Sequence, residues 1–427
     1  MNRDWLAETV DQGMKGFAAQ AWGRRPAELV ADRASLFDGA FTPPVMVLRS
    51  GALRQNIETM ASFCRDHGVE LAPHGKTTMA PQLFHRQLAA GAWAITAATP
   101  AQVAVCRAAG VPRVLLANEL VDPTSIDWIV AELARDPAFD FLCYADSIAG
   151  VQLLADAVRR ARTDRPLDVL IEIGHDRGRT GCRTSGQARD VAGAAATVEG
   201  LRVVGVAGYE GGLGRELSDE VLGAVDAYLE TIHATASELA RDGLIVDRGE
   251  GIILSAGGSV FFDRVAAVLR RPLAGGQRSL CVLRPGCYVS HDSGTYQRLS
   301  PFTRAGADPR YDLTPALEAW GSVLSLPEPG LAIVGLGRRD VSFDIGLPVP
   351  TTVRRRGRRM ASDATACSVT SLNDQHAFVT VPDGIDAAVG DWMSFGISHP
   401  CTSFDKWRLL PEVDDEYTVV DFVRTFF

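Results

Sequence analysis

Short β-rich runs alternate with helix-like stretches through roughly the first three hundred residues of this 427-residue chain. Strands that alternate with helices pair in parallel through right-handed crossovers. Eight candidate strands occur, at 69–72, 92–96, 113–117, 139–144, 167–173, 201–207, 252–255 and 280–284. Eight such units predict a (β/α)8 barrel, and an open, doubly wound sheet is the alternative.

The chain changes character after about residue 300. Short β-type runs cut by glycine and proline replace the helical periodicity, which predicts a separate all-β domain. We therefore divide the chain into an N-terminal extension (1–42), a barrel (43–300) and a β domain (301–427). The run PPVMVLRS at 43–50 precedes the barrel, and we expect it to join the β domain. The basic stretch RRRGRR (354–359) is predicted to be an exposed hairpin turn.

Bulk composition argues against several classes of protein. The formal net charge of −9 argues against a nucleic-acid or anionic-membrane partner. No run of 18 apolar residues exists, so no transmembrane helix is expected. The N-terminus carries acidic residues and lacks an apolar core, so no signal peptide is expected. The eight cysteines are scattered without a CxxC pair, which suits a reducing cytoplasm better than a disulfide framework.

Polar, glycine-rich clusters follow six of the predicted strands. In a (β/α)8 barrel the active site lies at the C-terminal strand ends, so these clusters are expected to meet. Lys76 stands behind a proline and a histidine in the first of them, a setting that a surface lysine does not need. The clusters are LAPHGKTTM (71–79), ANE (117–119), GHDRGRTG (174–181), GYEGG (208–212), SAGGS (255–259) and RPGCYVSHD (284–292).

SAGGS and Lys76 together indicate a cofactor. Glycines at a strand end, followed by Ser259 and an apolar helix start, form an anion nest, and barrels often bind phosphate after strands 7 and 8. A plain glycine turn is the alternative. A phosphate site opposite a strand-end lysine suggests a molecule with a phosphate at one end and an aldehyde at the other. Pyridoxal phosphate is such a molecule, because a lysine can hold its aldehyde as a Schiff base.

PHGKTT at the first strand, followed by a barrel and a β domain, resembles the alanine racemase-like class of pyridoxal phosphate enzymes, fold type III. EIGHDRGRTG, RPGCYVSHD and HPCTSFDKW resemble the branch that contains D-threonine aldolases, D-serine dehydratases and bacterial amino acid deaminases. The resemblance spans roughly residues 40–425. It implies a homodimer, because a partner subunit completes the site in the two-domain enzymes of this class.

The resemblance also implies roles for individual residues. Lys76 matches the lysine that binds the cofactor, and Arg179 matches an arginine near the ring hydroxyl, where a guanidinium would hold the phenolate form. His74 is a further catalytic candidate, with a purely structural role as its alternative. The cofactor-binding residues implied in this way are Lys76, Asn118, Arg179, Tyr209, Gly257, Gly258, Ser259 and Tyr288.

SHPCTSF places His399 and Cys401 two residues apart in a strand-like run, so both side chains are expected on one face. Imidazole and thiolate suit zinc, and two protein ligands leave the open positions that catalysis needs. The resemblance implies a zinc ion that holds the substrate β-hydroxyl as a Lewis acid. A packed thiol beside a hydrogen-bonded histidine is the alternative. His376, in NDQHAF, is a candidate for a further ligand or a neighbour of the metal.

Two lyase reactions fit this site, and Lys76 is the natural base for the Cα proton in the first of them. Loss of the β-hydroxyl would give a 2-oxo acid and ammonia, whereas cleavage of Cα–Cβ would give glycine and an aldehyde. In the resembling branch, dehydratases carry His-x-Cys with zinc and aldolases tend to carry His-x-Asp with a harder metal. His399 and Cys401 therefore favour a dehydratase.

Substrate and class alternatives stay open. KTTM replaces the usual KTHK, which leaves the base assignment and the choice among D-serine, D-threonine and 3-hydroxyaspartate undecided. An amino acid racemase would need a second base and no metal. A non-catalytic pyridoxal phosphate carrier would be a single barrel, and the β domain counts against it. The stretch at 5–22 is compatible with a helix that covers the barrel or the dimer seam.

Overall fold

The computed structural model describes residues 7–355 and 362–427, which form two β-sheets with surrounding helices. Strand β1 (Val45–Arg49) belongs to the second sheet, and the next eight strands form the first. These eight are β2 (Glu70–Leu71), β3 (Ile95–Ala97), β4 (Arg113–Glu119), β5 (Asp140–Ala145), β6 (Leu167–Ile173), β7 (Leu201–Gly208), β8 (Ile252–Ala256) and β9 (Ser279–Leu283). All pair in parallel, in the order β2-β9-β8-β7-β6-β5-β4-β3.

The parallel sheet closes into a barrel. Its end strands meet through hydrogen bonds from the N–H of Trp93 to the carbonyl of Leu71 (2.7 Å) and from the N–H of Thr96 to the carbonyl of Pro73 (2.9 Å). Alternate strand residues point inward, because successive side chains of a strand face opposite sides. The interior apolar layer includes Ala72, Leu115, Leu142, Leu170, Val204, Ile253 and Val282. The predicted (β/α)8 barrel is therefore confirmed, and the open sheet is wrong.

Helices follow the barrel strands and cover the outside of the barrel. Several begin at a side chain that accepts a hydrogen bond from the first helical turn, as Asp122 does from the N–H of Ser125 at 2.8 Å. Each such cap contributes about 1 kcal/mol and fixes where a strand-end loop stops. In chain order, the helices of the described residues are α1 (Pro26–Ala31), α2 (Ser50–His67), α3 (Pro81–Ala89), α4 (Pro100–Ala108), α5 (Pro123–Arg135), α6 (Ile148–Ala161), α7 (Ser185–Ala196), α8 (Asp219–Arg241), α9 (Phe262–Leu269), α10 (Thr295–Leu299) and α11 (Cys401–Phe404). Of these, α1, α2 and α11 do not follow a barrel strand.

The second sheet forms the β domain. Its further strands are β10 (Leu317–Glu328), β11 (Leu331–Val334), β12 (Val349–Arg354), β13 (Ser362–Asp363), β14 (Ser368–Leu372), β15 (Ala377–Thr380), β16 (Trp392–Gly396), β17 (Leu409–Val413) and β18 (Val419–Arg424). The main order is β13-β12-β16-β10-β1-β17-β18, and β11, β15 and β14 extend from β10. Strand β1 is antiparallel to β10 and parallel to β17, so the prediction that 43–50 joins the β domain is confirmed. The boundaries at 42 and 300 stay predictions.

The described part of the N-terminal extension packs on the β domain. Val10, Met14 and Phe17 are buried in one apolar cluster with Trp320 and Phe422. Between residues 7 and 22 the described chain forms turns and a short 3₁₀ turn rather than an α-helix, so this part of the expected helix is wrong.

The backbone conformation at Gly16 explains why this part of the extension does not continue as an α-helix. Gly16 has φ +88°, and a Cβ there would lie 2.9 Å from a methyl group of Val45. The chain therefore folds tightly over β1 at a position where only glycine fits.

The basic stretch at 354–359 lies mostly outside the described residues. Strands β12 and β13 on either side of it pair antiparallel, with Thr352 opposite Asp363 and Val353 opposite Ser362. The predicted hairpin turn itself stays a prediction.

Among the described residues, no helix combines the length and the apolar character that crossing a membrane requires.

Candidate active site

A cavity of about 470 Å³ opens at the C-terminal ends of the barrel strands, with the β domain forming part of its wall. This volume is in the range of small-molecule sites. Ten of the twelve residues singled out from the sequence line it, namely His74, Lys76, Asn118, Arg179, Tyr209, Gly257, Gly258, Ser259, His399 and Cys401. The structure therefore brings together residues that are far apart in the chain.

Lys76 lies in the 3₁₀ turn Gly75–Thr77, five residues after the end of β2. A Cβ at Gly75 would lie 2.9 Å from Ile95 and 3.1 Å from the Phe84 ring, so only glycine lets the turn pack this closely. The amine of Lys76 forms no hydrogen bond or ion pair with any residue of 7–355 or 362–427. The chain has only three lysines. An unpaired amine on the cavity wall is available for covalent or proton-transfer chemistry.

Four buried polar atoms on the cavity wall, from His74, Tyr144, Glu172 and Thr295, lack a partner among the described residues. Nδ1 of His74 and the hydroxyl of Tyr144 form no hydrogen bond within the described part of the chain. Burial, and then the charge of Lys76, hold the pKa of His74 well below its usual value, so the imidazole is neutral. Buried polar groups without partners are rare in native proteins. These atoms therefore indicate that a polar ligand belongs in the cavity.

Arg179 and Tyr209 form one side of the cavity. The guanidinium carbon of Arg179 lies 4.6 Å from the centre of the Tyr209 ring, within cation–π distance. The backbone N–H of Tyr209 donates to the hydroxyl of Tyr228 at 2.9 Å, which fixes the strand end. Asn118, from the end of β4, donates through Nδ2 to the carbonyl of Ala98 at 3.1 Å. The guanidinium of Arg179 thus lies over the ring of Tyr209 at the cavity wall.

The glycine nest after β8 already binds an anion of the protein itself. The N–H groups of Gly257 and Gly258 donate to the two carboxylate oxygens of Glu210 at 2.9 and 2.8 Å. Glu210 is fully buried and was not singled out from the sequence. The expectation that these two N–H groups meet a phosphate is therefore corrected, because a carboxylate satisfies them. The N–H groups of Ser259 and Val260, which line the same cavity, have no partner among the described residues.

Replacing Glu210 by alanine is expected to lower the free energy of unfolding by about 1–3 kcal/mol, because two shielded N–H groups lose their acceptor. Urea unfolding of the cofactor-free protein measures this change. Glu216→Ala is the matched control, since Glu216 is exposed only six positions further on. Equal stability of the two variants would contradict a structural role for the Glu210 contact.

Tyr288 does not line the cavity. Its side chain is 2% exposed, and its hydroxyl accepts a hydrogen bond from Nε2 of Gln87 at 2.9 Å. The structure therefore does not place Tyr288 with the other predicted cofactor-binding residues. The 3₁₀ turn Cys287–Val289 explains the difference, because it brings Cys287 to the cavity and directs the next side chain elsewhere.

Arg284 lines the floor of the cavity and was not predicted from the sequence. Its guanidinium donates to the hydroxyl of Ser255 at 2.5 Å and to the carbonyl of Gly208 at 2.6 Å. The inward direction of Arg284 could have been predicted from the alternation of side chains along β9. Val282 faces the barrel interior, and the side chain two positions further along a strand faces the same way. Arg284 thus ties the ends of β7, β8 and β9 together beneath the cavity.

Three carboxylates, of Glu119, Asp146 and Glu172, lie beside the cavity with oxygens within 4.8 Å of one another. Burial, and then a hydrogen bond with Glu172, raise the pKa of Glu119 to about 9. Neither oxygen of Glu119 has a partner if both carboxyls are ionised. A proton on Glu119 supplies the missing donor, as expected where carboxyls share a site.

The protonated carboxyl of Glu119 predicts a pH-dependent stability. A carboxyl whose pKa is higher in the folded chain (about 9) than its ordinary value of 4.5 stabilises the fold at low pH. That stabilisation is lost as the pH rises from about 4.5 to about 9. Relative to Glu119→Gln, the wild-type chain is therefore expected to lose stability between pH 5 and pH 9. Urea unfolding at several pH values measures it, with exposed Glu199→Gln as the control. Parallel profiles for wild type and Glu119→Gln would contradict the shared proton.

His399 and Cys401 line the cavity, but they do not lie in a strand. Strand β16 ends at Gly396, and Cys401 begins the short helix α11. The expected strand geometry is therefore wrong. Pro400 has φ −57° and ψ −43°, which is helical backbone and turns the chain between the two residues.

The ring of His399 is held by a carboxylate. Its Nδ1 lies 2.7 Å from Oδ2 of Asp344. Burial alone would lower the pKa of His399, but Cys401 and Asp344 raise it above the usual value. A carboxylate on one ring nitrogen is the usual partner of a metal-binding histidine, because it leaves the other nitrogen as the ligand. The donor set therefore fits a metal.

Cys401 is surrounded by groups that favour its thiolate. Its Sγ lies 3.6 Å from Sγ of Cys287 and 3.3 Å from the hydroxyl of Thr77. The thiol of Cys287, and then the ring of His399, hold the pKa of Cys401 well below its usual value. His376, by contrast, is exposed at the turn between β14 and β15 and does not line the cavity. The suggestion that it neighbours a metal at this site is therefore wrong.

Two protein-family models match the chain. Residues 48–255 match the alanine racemase N-terminal domain, and residues 316–413 match the putative serine dehydratase domain. The chain is 24% identical to a D-threonine aldolase from an Arthrobacter species over 345 residues, which is 81% of each protein.

The fold is similar to two solved structures. One is a D-threonine aldolase from Filomicrobium marinum, with a TM-score of 0.76 and 23% identity over 90% of this chain and 95% of that one. The other is D-threo-3-hydroxyaspartate dehydratase from Delftia sp. HT23, with a TM-score of 0.68 and 22% identity over 90% of this chain and 97% of that one.

Proposed function

Because the chain belongs to the alanine racemase-like class of fold-type III pyridoxal phosphate enzymes, and to its lyase branch, we propose that it is a zinc-dependent dehydratase. Its substrate in this proposal is a β-hydroxy amino acid, D-serine or D-threonine. The products are a 2-oxo acid and ammonia.

The cavity fits pyridoxal phosphate on features of its own wall. The free amine of Lys76 and the partnerless Nδ1 of His74 match a ligand with polar atoms. In the proposal Lys76 binds the aldehyde end, Arg179 and Tyr209 flank the ring, and Ser259 with the N–H groups that precede α9 holds the phosphate. When bound, the cofactor acts as an electron sink that makes the substrate Cα–H acidic.

Lys76 is the proposed base. Its amine has no fixed partner among the described residues, so it can take the proton from the substrate Cα once the substrate is bound. Neutral His74, two residues before it, adds no competing charge to the amine. Proton transfer by a positioned side chain of this kind contributes about 10²–10⁴ to a rate.

The proposed metal ligands are His399 and Cys401. Asp344 holds Nδ1 of His399 at 2.7 Å, so that Nε2 is left for the metal. Imidazole and thiolate select zinc over magnesium or manganese. When bound, zinc acts as a Lewis acid that stabilises the departing β-hydroxyl.

We propose a dehydratase rather than an aldolase because Cys401 supplies a thiolate. A thiolate is a soft ligand that favours zinc and, with it, the elimination reaction. The test is a product assay on purified enzyme with pyridoxal phosphate and zinc, using D-serine, D-threonine and D-threo-3-hydroxyaspartate. A 2-oxo acid with ammonia, lost on chelation, is the expected result. A 2-oxo acid formed equally well after complete removal of metal would contradict the role of zinc.

A metal-dependent aldolase is the second candidate, favoured by the similarity to the Arthrobacter D-threonine aldolase. Glycine with acetaldehyde from D-threonine would establish it and would overturn the use of Cys401 to separate the two reactions. Exchange of the Cα proton with inversion, without cleavage, would identify a racemase instead.

We also propose a homodimer that works in the cytoplasm. All eight cysteines are free thiols, which agrees with a reducing compartment. Phe343 and Leu347 are exposed on either side of Ile345, a cavity-lining residue. Exposed apolar side chains at a site mouth are suited to a partner subunit. Sedimentation of the purified protein tests the dimer.

A further inference from the structure

Cys287 is the cavity residue whose chemistry is so far unused. It is 4% exposed, it lines the cavity together with His399 and Cys401, and its Sγ lies 3.6 Å from Sγ of Cys401. That separation is far longer than the covalent S–S length of about 2.05 Å. Two thiolates on one tetrahedral zinc, each at about 2.3 Å, lie roughly 3.8 Å apart. The pair therefore has the spacing of two ligands of one zinc ion.

We propose that Cys287 is a third protein ligand of the metal, so that the site is Cys2His rather than Cys-His. This inference rests on the proposed zinc function of His399 and Cys401. Three protein ligands with one open position are the arrangement of catalytic zinc sites. The open position then receives the substrate β-hydroxyl.

The backbone around Cys287 is built to bring its sulfur to this place. A Cβ at Gly286 would lie 2.3 Å from the hydroxyl of Thr77 and 2.9 Å from the carbonyl of His74, so only glycine allows this approach to the Lys76 turn. The N–H of Cys287 then donates to the hydroxyl of Ser259 at 3.2 Å. The position of Cys287 is thus set by close contacts on two sides.

Metal binding requires one movement. Of the described residues, only the carboxylates beside the cavity have three potential ligand atoms within 4.8 Å of one another, so the ring of His399 must close on the two sulfurs. The side chain of His399 is 17% exposed and its Nδ1 contacts Asp344, so the proposal requires the ring to turn toward the sulfurs at this partly exposed position. A second thiolate also makes the site softer, and it is expected to hold zinc or cadmium and to reject magnesium.

Cobalt substitution of the holoenzyme tests the proposal. The sulfur-to-cobalt charge-transfer band in the near ultraviolet grows with the number of thiolates bound. In Cys287→Ser this band is expected to fall by about half, and zinc is expected to be lost to a competing chelator at a concentration at least about 10-fold lower. Cys367→Ser is the matched control, because Cys367 is buried in the β domain away from the cavity.

X-ray absorption of the unmodified zinc enzyme gives an answer that does not depend on how a variant folds. Two sulfur neighbours at about 2.3 Å support the proposal, and one overturns it. An unchanged cobalt band in folded Cys287→Ser also overturns it and leaves the proposed zinc function in place. A wild-type enzyme with no cobalt band and no bound zinc overturns both.

Discussion

Lys76→Ala is expected to lower turnover by at least about 10⁴-fold, the upper end of what proton transfer by a positioned side chain contributes. The variant also loses the proposed covalent attachment point of the cofactor, so the visible absorption of the bound cofactor should disappear. The reason is the amine itself, which lines the cavity and has no partner in the described part of the chain. Steady-state kinetics and absorption spectra of the dialysed protein measure the two effects.

The scarcity of lysine makes a covalent test of Lys76 unusually clean. The chain has three lysines, Lys15, Lys76 and Lys406. Borohydride reduction of the holoenzyme followed by peptide mass spectrometry should place the cofactor on Lys76 alone. Lys406→Arg is the control, because Lys406 pairs with Asp405 at 3.5 Å outside the cavity wall. Modification of another lysine, or full activity of Lys76→Ala, would contradict the assignment.

His399→Ala is expected to remove the proposed metal and to lower the proposed dehydratase turnover by about 10³-fold, because Lewis-acid stabilisation is worth several kcal/mol. The cofactor absorption should remain, since the proposed roles of His399 and Lys76 are separate. Metal analysis and 2-oxo acid formation measure the outcome.

His376→Ala is the matched control for His399→Ala, because His376 is an exposed histidine of the same domain that does not line the cavity. Equal zinc content and activity in the two variants would contradict the metal assignment. Loss of metal with unchanged dehydration would separate zinc binding from the reaction.

The barrel could be predicted from the sequence because its signal is periodic and local. Each predicted strand is a short, mostly apolar run that is followed by a helical pattern, and all eight strands are present. The shared edge of parallel strands then places Lys76, Arg179 and Ser259 at one cavity. No knowledge of side-chain contacts is needed for that step.

The predictions that were wrong depend on contacts between distant residues, which a local sequence pattern does not encode. A run such as SHPCTSF has strand-like composition, yet Pro400 makes it helical. Glycines after a strand indicate free N–H groups, but the carboxylate that satisfies them, Glu210, comes from another strand end. Arg284 could have been found by counting alternate positions along β9, whereas the pairing of Tyr288 with Gln87 depends on how helix α3 packs.

The central place of β1 in the β domain also has a consequence for biosynthesis. Its residues Val45 to Leu48 are almost fully buried between β10 and β17. Since β17 begins only at Leu409, a ribosome that adds 5–20 residues per second needs roughly 20–70 s between making β1 and making its last neighbour. During that time the barrel strands can pair with one another, whereas the apolar strand β1 lacks one of its two neighbours. Nascent chains are therefore expected to need a holding chaperone, and fragments that lack residues 43–50 to aggregate rather than fold.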